Sequence, residues 1–201
     1  MAVNSPVRIA IFASGGGSNA KVILERFRDY REGEIAVLVT NNPLSGVVEF
    51  GKTWTVPVEI LSKEQYTDGD LLNEVLYRYK VDLVVLAGYL KLIPEKTVLT
   101  FPRRILNIHP ALLPAYGGKG MYGMKIHKNV IDDKALSSGI TIHYVNEVYD
   151  QGEKLFQATL EVQPHWTPED LQKEVQKLEH QYFPEVIKKV CENLRNPDKN
   201  L

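Results

Sequence analysis

Apolar positions along this chain recur with two periods, and the alternation between them outlines the fold. Val7 to Ala13 is apolar except at Arg8, which predicts a strand buried on both faces. It runs into Ser14-Gly15-Gly16-Gly17-Ser18-Asn19, after which Val22, Ile23 and Phe27 share one face of a helix. Glu34 to Thr40 predicts a second strand ended by Asn41-Asn42-Pro43, followed by a helix candidate and a short strand over Val56 to Leu61. Lys63 to Tyr79 is expected to be one helix, because Leu71, Leu72, Val75, Leu76 and Tyr79 form an apolar stripe. Asp82 to Gly88 is the most strand-like run, and Arg104 to His109 predicts another strand. Ala115 to Gly123, rich in glycine and aromatics, predicts a loop. Ile140 to Val145 and Lys154 to Val162 predict two late strands, paired antiparallel. Thr167-Pro168-Glu169-Asp170 is a helix start, with Thr as N-cap, Pro at the first helical position and an acid in the first turn. Pro184 is expected to break or kink that helix, and Asn193 to Leu201 to fray.

Strands alternating with helices at this spacing predict βαβ units, hence an α/β fold with a mostly parallel twisted sheet flanked by helices. The length of 201 residues suits one domain, and no internal repeat or linker divides it. A formal charge of −1 excludes polyelectrolyte-scale attraction, so neither nucleic acid nor membrane is expected as a partner. A lone cysteine, Cys191, excludes an intrachain disulfide. With no basic-then-apolar leader visible, the expected location is the cytoplasm.

Two constellations carry chemistry. The glycine loop sits between a strand and a helix, where free backbone N–H groups and the helix dipole make an anion site suited to phosphate. Gly15, Gly17 and Ala20 also satisfy the dinucleotide fingerprint, but Thr40-Asn41-Asn42 stands where that fingerprint needs an acid for the ribose. A tight turn with no ligand is the bland alternative. The second constellation is Asn107 and His109, which alternate onto one face of a strand that Pro110 ends. An amide and an imidazole there can hold a developing oxyanion and move a proton. His127, His143 and His165 have no metal-ligand spacing, so no metal is expected. His143 reads as core or as a hydrogen-bond partner of a site residue, and Asp150 as a turn-former.

Taken in order, these motifs resemble the phosphoribosylglycinamide formyltransferase family. The resemblance rests on Ser14 to Asn19, Val84 to Tyr89, Leu106 to Pro110 with Leu112-Leu113-Pro114, Gly139 to His143, Asp150, and Glu179-His180 before Pro184. It covers nearly the whole chain and implies a Rossmann-like formyltransferase fold. It further implies transfer of a formyl group from 10-formyltetrahydrofolate, as co-substrate, to the amine of glycinamide ribonucleotide in purine biosynthesis. By that resemblance Asn107, His109 and Asp150 are the catalytic trio. Gly16, Gly17, Ser18, Asn19, Gly88, Pro110, Gln176 and Glu179 hold the phosphorylated acceptor. Lys63, Leu86, Leu90, Lys91, Leu92, Ile93 and His143, with Asn107 and Asp150, line the folate cleft. The phosphate side is expected from residues 1–100 and the folate and catalytic side from residues 101–201. Lys63 and Lys91 stand where arginines are expected beside the folate tail, keeping the charge without the bidentate fork. Related hydrolases and initiator-tRNA formyltransferases normally carry a further domain, which a first strand at residue 7 and a last helix near the end leave unexpected. A nucleotide-sugar formyltransferase and a non-catalytic nucleotide-binding module are the remaining alternatives.

Overall fold

The computed structural model describes residues 5–196. Its strands are β1 (Val7–Phe12), β2 (Gly33–Thr40), β3 (Val58–Ile60), β4 (Leu83–Leu86), β5 (Ile105–His109), β6 (Ser137–Tyr144) and β7 (Lys154–Glu161). Its helices are α1 (Ser18–Phe27), α2 (Val47–Trp54), α3 (Lys63–Thr67), α4 (Gly69–Arg78), α5 (Glu95–Thr100), α6 (Met124–Asp132) and α7 (Pro168–Arg195). The strands form one sheet in the order β3-β2-β1-β4-β5-β6-β7. The pairs from β3 to β5 are parallel, whereas β5–β6 and β6–β7 are antiparallel. The expected α/β sheet, with its late antiparallel pair, is the observed one.

The sheet buries both faces. Ile9, Ile11, Leu83, Val85, Leu106 and Ile108 join a core capped by α1 and α7, while Ala10, Phe12, Val84, Leu86 and Ile105 join a second core capped by α4 and α5. This two-sided burial explains why β1 and β4 read as continuous apolar runs rather than alternating ones. The chain order reverses between β1 and β4. A crevice opens there beyond the carboxyl ends of the strands, where open α/β sheets bind their ligands.

Three expectations are corrected. The helix predicted over Lys63 to Tyr79 is two helices, because the Asp68 side chain accepts from the N–H groups of Asp70 and Leu71 and starts α4 afresh. Ser62 and Gln65 form the capping box of α3. Pro184 does not break the last helix, which runs unbroken from Pro168 to Arg195. Pro184 forgoes the bond to the His180 carbonyl, but it is buried alongside Phe183 and Ile187, and burial of that apolar face holds the turn. Of the frayed tail expected from Asn193 onward, Asn193 to Arg195 are helical, and residues 197–201 lie outside the described residues. Pattern alone did not single out α5 or α6. The first of these is a short helix, and the second follows directly on the glycine-rich loop.

Candidate active site

The residues singled out in the sequence converge on one cavity of about 390 Å³ at the β1/β4 crevice. The loop after β1 supplies Gly15, Ser18 and Asn19, and the segment after β4 supplies Leu86, Gly88, Leu90, Lys91, Leu92 and Ile93. Asn107, His109 and Pro110 come from the end of β5, His143 and Asp150 from β6 and the loop beyond it, and Gln176 and Glu179 from α7. Gly16 and Gly17 lie just off the wall and shape the loop. Gly17 is the N-cap of α1 with φ +74°, a left-handed conformation that favours glycine, and a Cβ there would meet Phe50 at 3.1 Å. The N–H groups opening α1 have no partner within their own helix, which is the geometry of an anion site. Lys63, unlike those two glycines, stands apart from the site altogether. The capping box turns the chain into α3 and leaves Lys63 exposed, away from the cavity wall. Lys91 does reach the wall, with its ammonium 5.5 Å from the centre of the Tyr66 ring.

The catalytic candidates cluster together, each held by hydrogen bonds to a neighbour: Asn107 to His143, His109 to Tyr116 and Asp150 to Gly118. Asn107 and His143 face each other across the β5–β6 pair, and their side chains meet with Asn107 Nδ2 at 3.1 Å from His143 Nε2. His143 Nδ1 donates to the Tyr144 carbonyl at 2.8 Å, since a carbonyl only accepts. Its Nε2 is therefore the acceptor for one Asn107 N–H, leaving the second amide hydrogen free for the cavity. His109 Nε2 donates to the Tyr116 carbonyl at 2.8 Å, and its Nδ1 lies 3.5 Å from Asp150 Oδ1. The titrating nitrogen of His109 is thus Nδ1, the one that faces the carboxylate. Burial pushes the His109 pKa down, and the Asp150 charge and the Tyr116 carbonyl only partly offset it. Burial pushes Asp150 upward in turn, yet the two imidazoles and the N–H of Gly118, donating at 2.9 Å, hold its carboxyl below the usual range.

Asp150 does sit in a turn, as its surroundings in the sequence suggest, with φ +58°, and beyond that its side chain is only 11% exposed and ties the 115–123 loop to the region beside His109. That loop has a physical role as well, because Tyr116 and Gly118 supply the backbone groups that fix His109 and Asp150. Thr141 anchors the loop's origin, donating to the Ala111 carbonyl at 2.7 Å and accepting from the Leu113 N–H at 2.9 Å.

On the other side of the cavity, α7 crosses the start of α1. Asn19 Nδ2 donates to Glu179 at 3.0 Å, and Gln176 Nε2 donates to the Ser18 hydroxyl at 2.9 Å. Both halves of the chain therefore build both sides of the cavity. Burial, opposed only by the Asn19 hydrogen bond, pushes the Glu179 carboxyl up to about 7. Among the described residues, no three His, Cys, Asp or Glu side chains come together so as to hold a metal ion, and no helix is long and apolar enough to cross a membrane.

The formyl transferase family profile matches residues 7–187. The phosphoribosylglycinamide formyltransferase of Bacillus subtilis is 33% identical over 188 residues, which is 91% of this chain and 94% of that protein. The chain belongs to the phosphoribosylglycinamide formyltransferase family. A chloroplastic phosphoribosylglycinamide formyltransferase of Arabidopsis thaliana is 47% identical over 191 residues, 92% of this chain. The chain spans 65% of the length of that relative and 61% of its Vigna unguiculata counterpart. Crystal structures agree. Glycinamide ribonucleotide transformylase 1 from Symbiobacterium toebii superposes with a TM-score of 0.85 at 32% identity, covering 94% of this chain and 89% of that one. The Bacillus halodurans formyltransferase gives 0.84 at 33%, covering 94% and 97%.

Sequence reasoning missed three residues of the site. Gly46 is one: a Cβ there would lie 2.2 Å from the Gly16 carbonyl oxygen, so only glycine lets α2 approach the glycine loop. Ser45 is another, with its hydroxyl donating to the Gly15 carbonyl at 2.8 Å. Ser45-Gly46 carried no signal beyond a turn after Pro43. His127, buried in the first turn of α6, also lines the cavity.

Proposed function

We propose that the protein transfers a formyl group from 10-formyltetrahydrofolate to the amine of glycinamide ribonucleotide, a step of purine synthesis. The observation that carries this reading is the convergence in one cavity of the Asn107–His109–Asp150 unit, the open N-terminus of α1 and Glu179. The names of the relatives in Bacillus subtilis and Arabidopsis support it. The α1 N–H groups of Ser18 and Asn19 suit the acceptor's phosphate, and Glu179 with Gln176 suits its ribose hydroxyls. Leu86, Leu90, Leu92 and Ile93 give the cavity an apolar side that fits the folate's flat ring system, with Lys91 at the mouth for its anionic tail.

When bound, the folate supplies an activated formyl carbon. The free Asn107 N–H is placed to donate to the oxygen on which negative charge develops. His109 takes a proton at Nδ1 and Asp150 stabilises the imidazolium that results, so the pair can accept a proton from the attacking amine and return it to the departing nitrogen. Burial keeps His109 neutral and ready to accept at neutral pH. The same reading takes the protein as one formyltransferase domain working in the cytoplasm, a reducing compartment in which the lone thiol of Cys191 is acceptable.

The deciding experiment incubates pure protein with formyl-labelled 10-formyltetrahydrofolate, with and without glycinamide ribonucleotide, and follows the label. Label on the acceptor amine is the expected result. Free formate released equally without acceptor would make water the substrate and overturn the transferase reading.

A further inference from the structure

His127 has no part in the chemistry described so far, yet its position calls for one. It is 3% exposed, lies in the first turn of α6 and lines the cavity. Its Nδ1 is buried without a hydrogen-bond partner. A buried polar atom left unpaired destabilises the fold, and an apolar ring of the same size would remove that cost. Burial, followed by the neighbouring charge of His109, pushes the His127 pKa down to about 4, so the ring is uncharged at neutral pH. An uncharged imidazole carries one N–H. A sealed, unpaired lone pair is tolerated better than a sealed, unpaired N–H, which puts the hydrogen on Nε2. With Nδ1 sealed, Nε2 is the ring nitrogen left to face the cavity. The ring thus presents a neutral donor beside His109, on the wall that continues through Gln176 and Glu179 of α7.

We propose that His127 is a further substrate-contacting residue, whose Nε2–H donates to the carbonyl oxygen of the acceptor's α-amino amide and so holds the adjacent amine in line with the formyl carbon. The inference rests on the acceptor proposed above and names the group within it that is recognised. The chemistry is specific. An acceptor of this class carries an amide carbonyl two bonds from its attacking nitrogen, and this carbonyl needs a donor once water is excluded. A cationic donor at that point would repel the proton arriving at His109. An uncharged imidazole avoids this conflict.

Three substitutions separate a contact from a packing role. His127→Phe keeps ring volume and removes both nitrogens. His127→Gln places an amide N–H near the position of Nε2, and His127→Asn near that of Nδ1. We expect the Phe variant to melt no lower than wild type and to lose roughly tenfold to a hundredfold in kcat/KM for glycinamide ribonucleotide, with KM for the folate unchanged. Gln should recover a large part of the loss and Asn should not. A folded Phe variant with normal acceptor kcat/KM, or equal losses for both substrates with a lowered melting point, overturns the proposal. A binding measurement on the wild-type protein stands independently of whether Phe folds. In an NMR titration with glycinamide ribonucleotide, the His127 ring nitrogens should shift together with the backbone amides of Gly17 and Ser18. Shifted loop amides with an unmoved His127 overturn this inference and leave the acceptor assignment intact. No shift at either overturns both.

Discussion

At the scale of single residues, the site works through committed hydrogen bonds, and each commitment predicts a measurable loss. Asn107→Ala and His109→Ala should each lower turnover roughly 10²–10⁴-fold, the range for losing an oxyanion donor or a proton-transfer group. Steady-state kinetics of the double variant should show little more damage than the worse single variant, because both act on one transition state. Asp150 has φ +58°, a conformation that asparagine tolerates, and Asn can still accept from the Gly118 N–H. Asp150→Asn should therefore fold while removing the charge beside His109 Nδ1. Since that charge raises the His109 pKa against burial, an NMR titration should find His109 lower still in the variant, with turnover largely lost. Glu179 gives the opposite kind of signature. Its carboxyl is raised to about 7, so between the ordinary carboxylate range and pH 7 the native state holds more protons than the unfolded one, and stability falls as pH rises through that window. Glu179→Gln should remove a penalty on the order of 3 kcal/mol above pH 7 and change little near pH 4. Thermal melts at the two pH values test this, and the variant should also bind the acceptor more weakly.

At the scale of elements, the sequence was most informative where an element had its own period or its own cap. The alternation of Asn107 and His109 on β5 was legible because a strand shows one face at every second residue. The cap at Thr167 was legible for the same local reason, and the structure has the full capping box there with Asp170. What stayed illegible depends on contacts made across the sheet. Glu179 reads as one more charge on a solvated helix until α7 is laid over α1 and Asn19 meets it. Asp150 reads as a turn until the loop after β5 folds back to meet it. Gly46 shows this best, because its backbone angles are ordinary (φ −57°) and only the nearby Gly16 carbonyl demands a missing side chain. Gly46→Ala should push α2 off the glycine loop. Calorimetry should show acceptor binding weakened by at least tenfold while folate binding holds, since the folate side of the cavity rests on the segment after β4.

At the scale of the whole molecule, the order β3-β2-β1-β4-β5-β6-β7 was only half predictable. Parallel βαβ units follow from alternating periods, but nothing local says which strand becomes the neighbour of β1. The apolar runs of β1 and β4 do mark them as the two-sided centre, and the crevice between them is where open α/β sheets bind their ligands. The two bonds that tie α7 to the glycine loop, Asn19–Glu179 and Ser18–Gln176, join residues 160 and 158 positions apart. That separation bears on the birth of the protein. In a chain emerging from the ribosome the glycine loop precedes α7, and more than 150 further residues must be made before α7 can reach it. Over that interval the half-built sheet shows the apolar strands β1 and β4 with one flank uncovered, the kind of surface that chaperones hold. A chain cut short before α7 would leave the ribosome with Asn107, His109 and Asp150 but without Gln176 and Glu179 to close the cavity over the glycine loop.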